Sequence, residues 1–271
     1  MNDQLNDDRL RFVPVPGKKT AAADPARSLA LLWGTHTKPG RSGLTLRAII
    51  DTAIELADAN GLEAVSMRLV AEQLKAGTMS LYTHVPGKGE LTVLMYDSVY
   101  GDLYADADEP VRQPGGWRGA LEFVAQRNWD LLMRHPWIHE VPAVRSTVGP
   151  NIIAKYETEL RPLDGLGLTD VEMDSTLNLI LTHVRGTART AAEHLRTQRE
   201  SGMTDAEWWL TTGPALAHYM GALADRFPVA GRVGSATGEQ HQAAINSEHA
   251  LKFGLERILA GVALLIEERN S

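Results

Sequence analysis

The 271-residue sequence predicts an all-α protein, with a small N-terminal helical unit followed by a larger helical domain. Three observations carry this. From Thr45 onward, apolar residues recur at helical spacing, and no segment alternates convincingly with the period of a strand. Helix-start signals repeat, above all Thr169-Asp170-Val171-Glu172 and Thr204-Asp205-Ala206-Glu207, whose side chains can satisfy free amides reciprocally. A break of Asp106-Ala107-Asp108-Glu109-Pro110 followed by Pro114-Gly115-Gly116 divides the chain. The expected organisation is an irregular basic arm over 1–43, a three-helix helix-turn-helix domain over 44–106, and a larger helical domain over 107–271.

The arm holds Arg9, Arg11, Lys18, Lys19, Arg27, Lys38 and Arg41 against Asp3, Asp7, Asp8 and Asp24, a net of +3. Pro14, Pro16, Pro25 and Pro39 interrupt any long periodic element there, and the apolar knot Leu29 to Gly34 suffices for about one helical turn. In the next unit, Leu46, Ile49/Ile50, Ala53 and Leu56/Ala57 form one stripe that Asn60-Gly61 closes. Ser66 caps a helix from about Met67 to Leu74. Lys75-Ala76-Gly77 is a turn, Met79 to His84 a very short helix, and Pro86-Gly87 its end. A further helix runs from Lys88 toward Leu103.

Beyond the break, Trp117, Leu121, Val124 and Leu131 share a face that stops before His135-Pro136. The first Thr-x-x-Glu box opens a long helix to about Arg199. The second opens a segment that Pro214 is expected to break or restart. Pro228 to Gly238 is expected as a loop, and Ser247 to Glu268 as the last helix. Leu177, Leu181, Val184, Ala188, Ala191 and Leu195 form one sustained stripe, and Leu251, Leu255, Ile258, Val262 and Leu265 another. Such stripes serve either a monomer's own core or a two-fold four-helix bundle, and the second is expected.

Composition narrows the chemistry. Lys plus Arg is 27 and Asp plus Glu 34, so the net charge is −7 and the 228 residues after the arm carry −10. That excludes a generally basic nucleic-acid coat but permits a local one. The absence of cysteine removes disulfides, iron–sulfur clusters, cysteine-based zinc sites and thiol nucleophiles. The acidic start lacks the pattern of a secretory signal, and no apolar run approaches about 18 residues. A cytoplasmic protein without membrane contact is expected.

The region 67–85 carries the most specific chemistry. Val70, Leu74, Ala76, Leu81 and Val85, with small Ala71, suit two helices crossing closely in a helix-turn-helix. Thr78, Met79, Ser80, Tyr82, Thr83 and His84 then stand outward, where they can meet base edges, thymine methyls and phosphates. Arg68, Lys75 and Lys88 against Glu72 give residues 64–88 a net of +2. The same spacing also fits a plain helical hairpin with a solvated face. In the arm, Arg9-Leu10-Arg11 or Lys18-Lys19 suit either a minor groove or simple solvation.

Leu44 to Leu91, especially Gly61-Leu62-Glu63-Ala64-Val65-Ser66-Met67-Arg68 and Met79-Ser80-Leu81-Tyr82-Thr83-His84-Val85-Pro86-Gly87-Lys88, resembles the DNA-binding domain of TetR-family transcriptional regulators. The resemblance implies base-reading positions at Thr78, Met79, Ser80, Tyr82, Thr83 and His84, with phosphate contacts at Arg68 and Lys88. Lys75 departs from it, standing where the family usually has glycine, which suggests a strained left-handed residue, a reshaped turn or an extra phosphate contact. Trp117 to Pro142, with Arg134-His135-Pro136-Trp137, and Trp208-Trp209 to Arg226-Phe227-Pro228 are similar to the tetracycline-repressor-like C-terminal domain of that family. This implies a homodimer on a palindromic operator and a small-molecule effector, with Trp129, Met133, Trp137, Asn178, His183, Trp208 and His218 as candidate lining. It also implies a repressor whose reading heads shift, through the helix beginning at Lys88, when effector binds.

The rival reading is a helical small-molecule- or metal-binding protein or enzyme with a degenerate helix-turn-helix. His135 and His139 are four apart, but Pro136 prevents the regular helix a two-histidine metal face needs. Gly87-Lys88 lacks the upstream glycine of a phosphate loop, and no nucleophile elbow or dinucleotide turn appears. His241 and His249 flank a loop and suit a metal or solvent equally. No cofactor, metal or catalytic residue is expected.

Overall fold

The computed structural model describes residues 24–34, 44–141, 148–223, 226–241, 243 and 246–271, and these form α-helices, short 3-10 turns and connecting loops, with no strand. The arm cations Arg9, Arg11, Lys18, Lys19, Lys38 and Arg41 lie outside the described residues. Part of the arm is regular after all: α1 spans Pro25–Leu32. Asp24 accepts from the Ala26 amide and Pro25 occupies the first turn, so a proline that suggested interruption in fact starts a helix.

The N-terminal unit consists of α2 (Leu46–Asn60), α3 (Met67–Gln73), α4 (Thr78–Tyr82) and α5 (Lys88–Tyr100). Thr45 caps α2 through the Ala48 amide, and Gly61 leaves it at φ +81°, which a side chain would resist. A 3-10 turn over Leu62–Ala64 leads to α3. Ile49, Ala53, Val65, Val70, Ala71, Leu81, Val85 and Leu91 are buried together and form the core of this unit.

The C-terminal domain contains α6 (Gly116–Arg134), a 3-10 turn over Pro136–Glu140, α7 (Pro150–Leu160), α8 (Asp170–Ser201), α9 (Asp205–Leu223), α10 (Pro228–His241) and α11 (Ser247–Arg269). The Thr169–Glu172 capping box forms with both reciprocal bonds, and Thr204–Glu207 repeats it. Two expectations fail here. Pro214 neither breaks nor restarts α9, since it sits on an exposed face where the carbonyl of Leu210 can turn to water. Residues 228–238 belong to a helix rather than a loop: Pro228 opens α10, a position proline tolerates, and the glycines within lower helix propensity without forbidding it.

α8 packs on both α6 and α11, so the two sequence stripes meet within one chain. Gly254 permits this approach, because a side chain there would collide with the His183 ring, whose Nε2 lies 3.0 Å from the Leu251 carbonyl oxygen.

Three contacts join the units. α5 packs on α2 and α1 at one end and on α7 at the other, where buried Asp97 accepts from Asn151 and the Ile152 amide. The Trp33 indole donates to the Val148 carbonyl. Asp58 of α2 accepts from the Trp137 indole at 2.8 Å and faces His135 Nδ1 at the same distance. Beside them, burial, followed by the Arg185 and Arg189 guanidinium groups, holds the His139 imidazole below its ordinary value of 6.5. The unfolded chain therefore takes up a proton near that pH that the folded chain resists. Stability from this group is complete above 6.5 and is lost as pH falls below it. The melting temperature is expected to drop between about pH 7.5 and about pH 5.5, and less steeply for His139→Gln, in thermal scans across that range.

Candidate nucleic-acid interface

Five residues are too few for a helix that is stable alone, so α4 holds its shape by packing. Leu81, fully buried in the core cluster, is its anchor, and α4 packs on α3. Backbone bonds from Ser80 to Gly77 O and from His84 and Val85 to Leu81 O complete the coil. With one side buried, the other must face out. Met79 is 78% exposed and Tyr82 44%, Thr83 is exposed, and Thr78, Ser80 and His84 are half-buried beside them. The Thr83 hydroxyl donates to the Ser80 carbonyl at 2.6 Å, which leaves its methyl and lone pairs toward solvent.

The turn before α4 is unusual. Lys75 has φ +51°, the only positive value at a non-glycine among the described residues. Its amide donates to Glu72 O and that of Ala76 to Ala71 O, closing α3 in the manner usual for glycine.

Arg68 is exposed in the first turn of α3, behind Ser66, which accepts from the Leu69 amide at 3.2 Å. Lys88, expected as a phosphate contact, has bonds within the protein as well. Its ammonium donates to Leu62 O at 2.9 Å and to Glu63 O at 3.2 Å, binding the start of α5 to the turn ahead of α3. One ammonium hydrogen remains for an anion. Lysine at this position is thus a brace first. No local pattern in the sequence announces a contact across 26 residues.

The structure does not gather the seven predicted effector residues at one site. Trp129 is buried and Met133 half-buried on α6, whereas Trp137 is committed to Asp58 and His183 lies between α8 and α11. Asn178, Trp208 and His218 are exposed. Sequence reasoning missed a buried polar cluster instead. Glu159, wholly enclosed, accepts from Tyr104 at 2.7 Å and from Asn128 at 2.6 Å, and pairs with Lys155. Burial first, and the Glu159 charge second, push the Tyr104 phenol upward, so it stays a donor. Only the Lys155–Glu159 spacing was visible in the sequence, and it suits an ordinary surface pair equally. The His241 and His249 rings lie 4.8 Å apart and tilted by 47°, and no group of three or more ligating side chains suited to a metal occurs among the described residues.

Comparison with known proteins adds identity to this geometry. Residues 49–93 match the family described as bacterial regulatory proteins, tetR family, and residues 109–266 match the tetracyclin repressor-like C-terminal domain. The chain is 39% identical over 254 residues to the HTH-type transcriptional repressor DrrR1 of Streptomyces coeruleorubidus, covering 93% of this chain and 90% of that one. It superposes on the ActR protein of Streptomyces coelicolor in complex with (S)-DNPA at TM-score 0.65 and 27% identity, covering 82% and 98%. The actinorhodin complex of ActR gives TM-score 0.65 and 26% identity, covering 82% and 96%.

The brace and the phosphate role separate by measurement. Lys88→Met should cost about 1–2 kcal/mol in denaturant unfolding, through two lost charge-assisted bonds to partly exposed carbonyls. Arg68→Ala, which breaks no such bond, should unfold like the wild type.

Proposed function

The chain belongs to the TetR family of bacterial regulatory proteins, and on that footing we propose that it is a cytoplasmic repressor, binding a palindromic operator as a homodimer and released by a small organic effector. The outward display of Met79, Tyr82 and Thr83 on a helix anchored by Leu81 carries this reading. Thr78, Met79, Ser80, Tyr82, Thr83 and His84 read base edges in the major groove, and Arg68 holds a phosphate. Lys88 offers its third ammonium hydrogen to another phosphate while keeping its brace. One such head touches few bases, and two heads about 34 Å apart read both half-sites.

The second copy docks on α8 and α11. Their outer face forms a shallow groove of about 420 Å³, lined by Ser175, Leu179, Ile258, Gly261, Val262 and Leu265 among others. Exposed apolar groups such as Leu179 and Leu264, with Gly261 open to solvent, suit a second pair of the same helices in a four-helix bundle.

The effector enters the α6 region of the C-terminal domain. The two ligand complexes of ActR support a small-molecule site in this chain. Trp129 and Met133 supply apolar wall, and Tyr104, Asn128 and Glu159 supply polar anchors. α5 joins this region to the reading head, so a ligand preferring one tilt of α5 shifts the population of DNA-competent dimers. The required coupling is typically about 1–3 kcal/mol. No described helix is long and apolar enough to cross a membrane.

Selection of bound sequences from random duplexes by the full-length protein should recover an inverted repeat. Affinity for it should fall steeply with salt, with a slope near −0.9 per phosphate neutralised. Recovery of no sequence above background contradicts the reading. Gly261→Glu should leave folding intact, since nothing lies within 4 Å of a side chain there. It should convert the dimer to monomer by light scattering and abolish binding to the full repeat.

A further inference from the structure

We infer that Lys75 is a DNA-phosphate contact of this chain, a cation that its left-handed turn places at the edge of the reading head. The inference rests on the DNA-binding reading above and adds to it a residue outside the recognition helix. At φ +51° the Lys75 Cβ crowds the backbone, a conformation glycine takes freely and lysine resists. Closing α3 needs that backbone but not that side chain, because the Lys75 and Ala76 amides make the closing bonds. A strained residue with a dispensable side chain, retained next to a functional element, points to work done by the side chain.

Its surroundings specify the work. Lys75 is exposed, and among the described residues its ammonium has no ion pair or hydrogen bond. It precedes Gly77, the N-cap of α4, by two residues and therefore stands beside the helix that displays Met79 and Tyr82. Arg68 is exposed in the first turn of α3 and Lys75 is exposed just past its C-cap Leu74, so the two cations bracket that helix. Lys88 has two of its three donors committed to Leu62 and Glu63, which leaves Arg68 and Lys75 as the uncommitted cations of residues 64–88. On a body of net negative charge, phosphate attraction then depends heavily on these two.

A bland alternative exists in which Lys75 only complements the carbonyl end of α3. The two roles predict opposite results. Full-length Lys75→Gly and Lys75→Arg are compared with wild type on the duplex recovered by selection and on single-base variants of it, across a salt series, alongside thermal melts. For a phosphate contact, Lys75→Gly melts no lower than wild type, yet binds every duplex more weakly by the same factor. Its log–log salt slope becomes shallower by about 0.9, and Lys75→Arg keeps the wild-type slope. A wild-type slope in Lys75→Gly overturns the assignment, as does a lowered melting temperature accompanying the loss of binding. If wild type itself shows no salt-dependent binding, the DNA-binding reading falls, and this inference falls with it. A steep slope shared by wild type and Lys75→Gly removes this inference alone.

Discussion

The burial of Leu81 is the constraint on which the rest depends. A helix of five residues cannot maintain itself in water, so α4 exists because Leu81 is buried in the core and the helix packs on α3. The same burial sets the direction of every other side chain on α4. With Leu81 inward, helical geometry sends Met79, Tyr82 and Thr83 outward. The Lys88 brace fixes the start of α5 to the Leu62 and Glu63 carbonyls. Shape and display are thus one physical fact.

The reading head connects to the body through parts that are themselves specific. α5 belongs to both units, with Leu91 in the N-terminal core and Asp97 bonded to Asn151 and Ile152 of α7. Asp58 reaches from α2 to His135 and Trp137, and Trp33 after α1 reaches Val148. A tilt of the head must rearrange these polar contacts, which have discrete partners rather than a continuous range.

Much of this was legible in the sequence. Caps are local chemistry, so Ser66, Gly61 and the Thr169–Glu172 box placed helix ends closely. The outward set on α4 followed from the apolar spacing around Leu81. Proline misled in one direction, suggesting interruption where helices run. Asp24-Pro25 and Pro228 start helices and Pro214 rides inside one, because the cost of a proline depends on position and solvent access rather than on presence. The Lys88 brace and the Glu159 cluster were hidden for a different reason: each joins residues more than 20 positions apart, which no local period encodes. The aromatic residues taken as effector lining share composition but not location, as Trp137 on Asp58 and exposed Trp208 demonstrate.

Hydroxyl-radical footprinting of the unmodified protein, with and without its selected duplex, bears most directly on the claim that α4 is the surface that meets DNA. Met79 and Leu210 are almost equally accessible, at 78% and 77%, but lie in different units. Loss of labelling at Met79 and Tyr82 on adding duplex, with Leu210 and Tyr219 unchanged, is the result the account predicts. Undiminished labelling at Met79 in a saturated complex contradicts it.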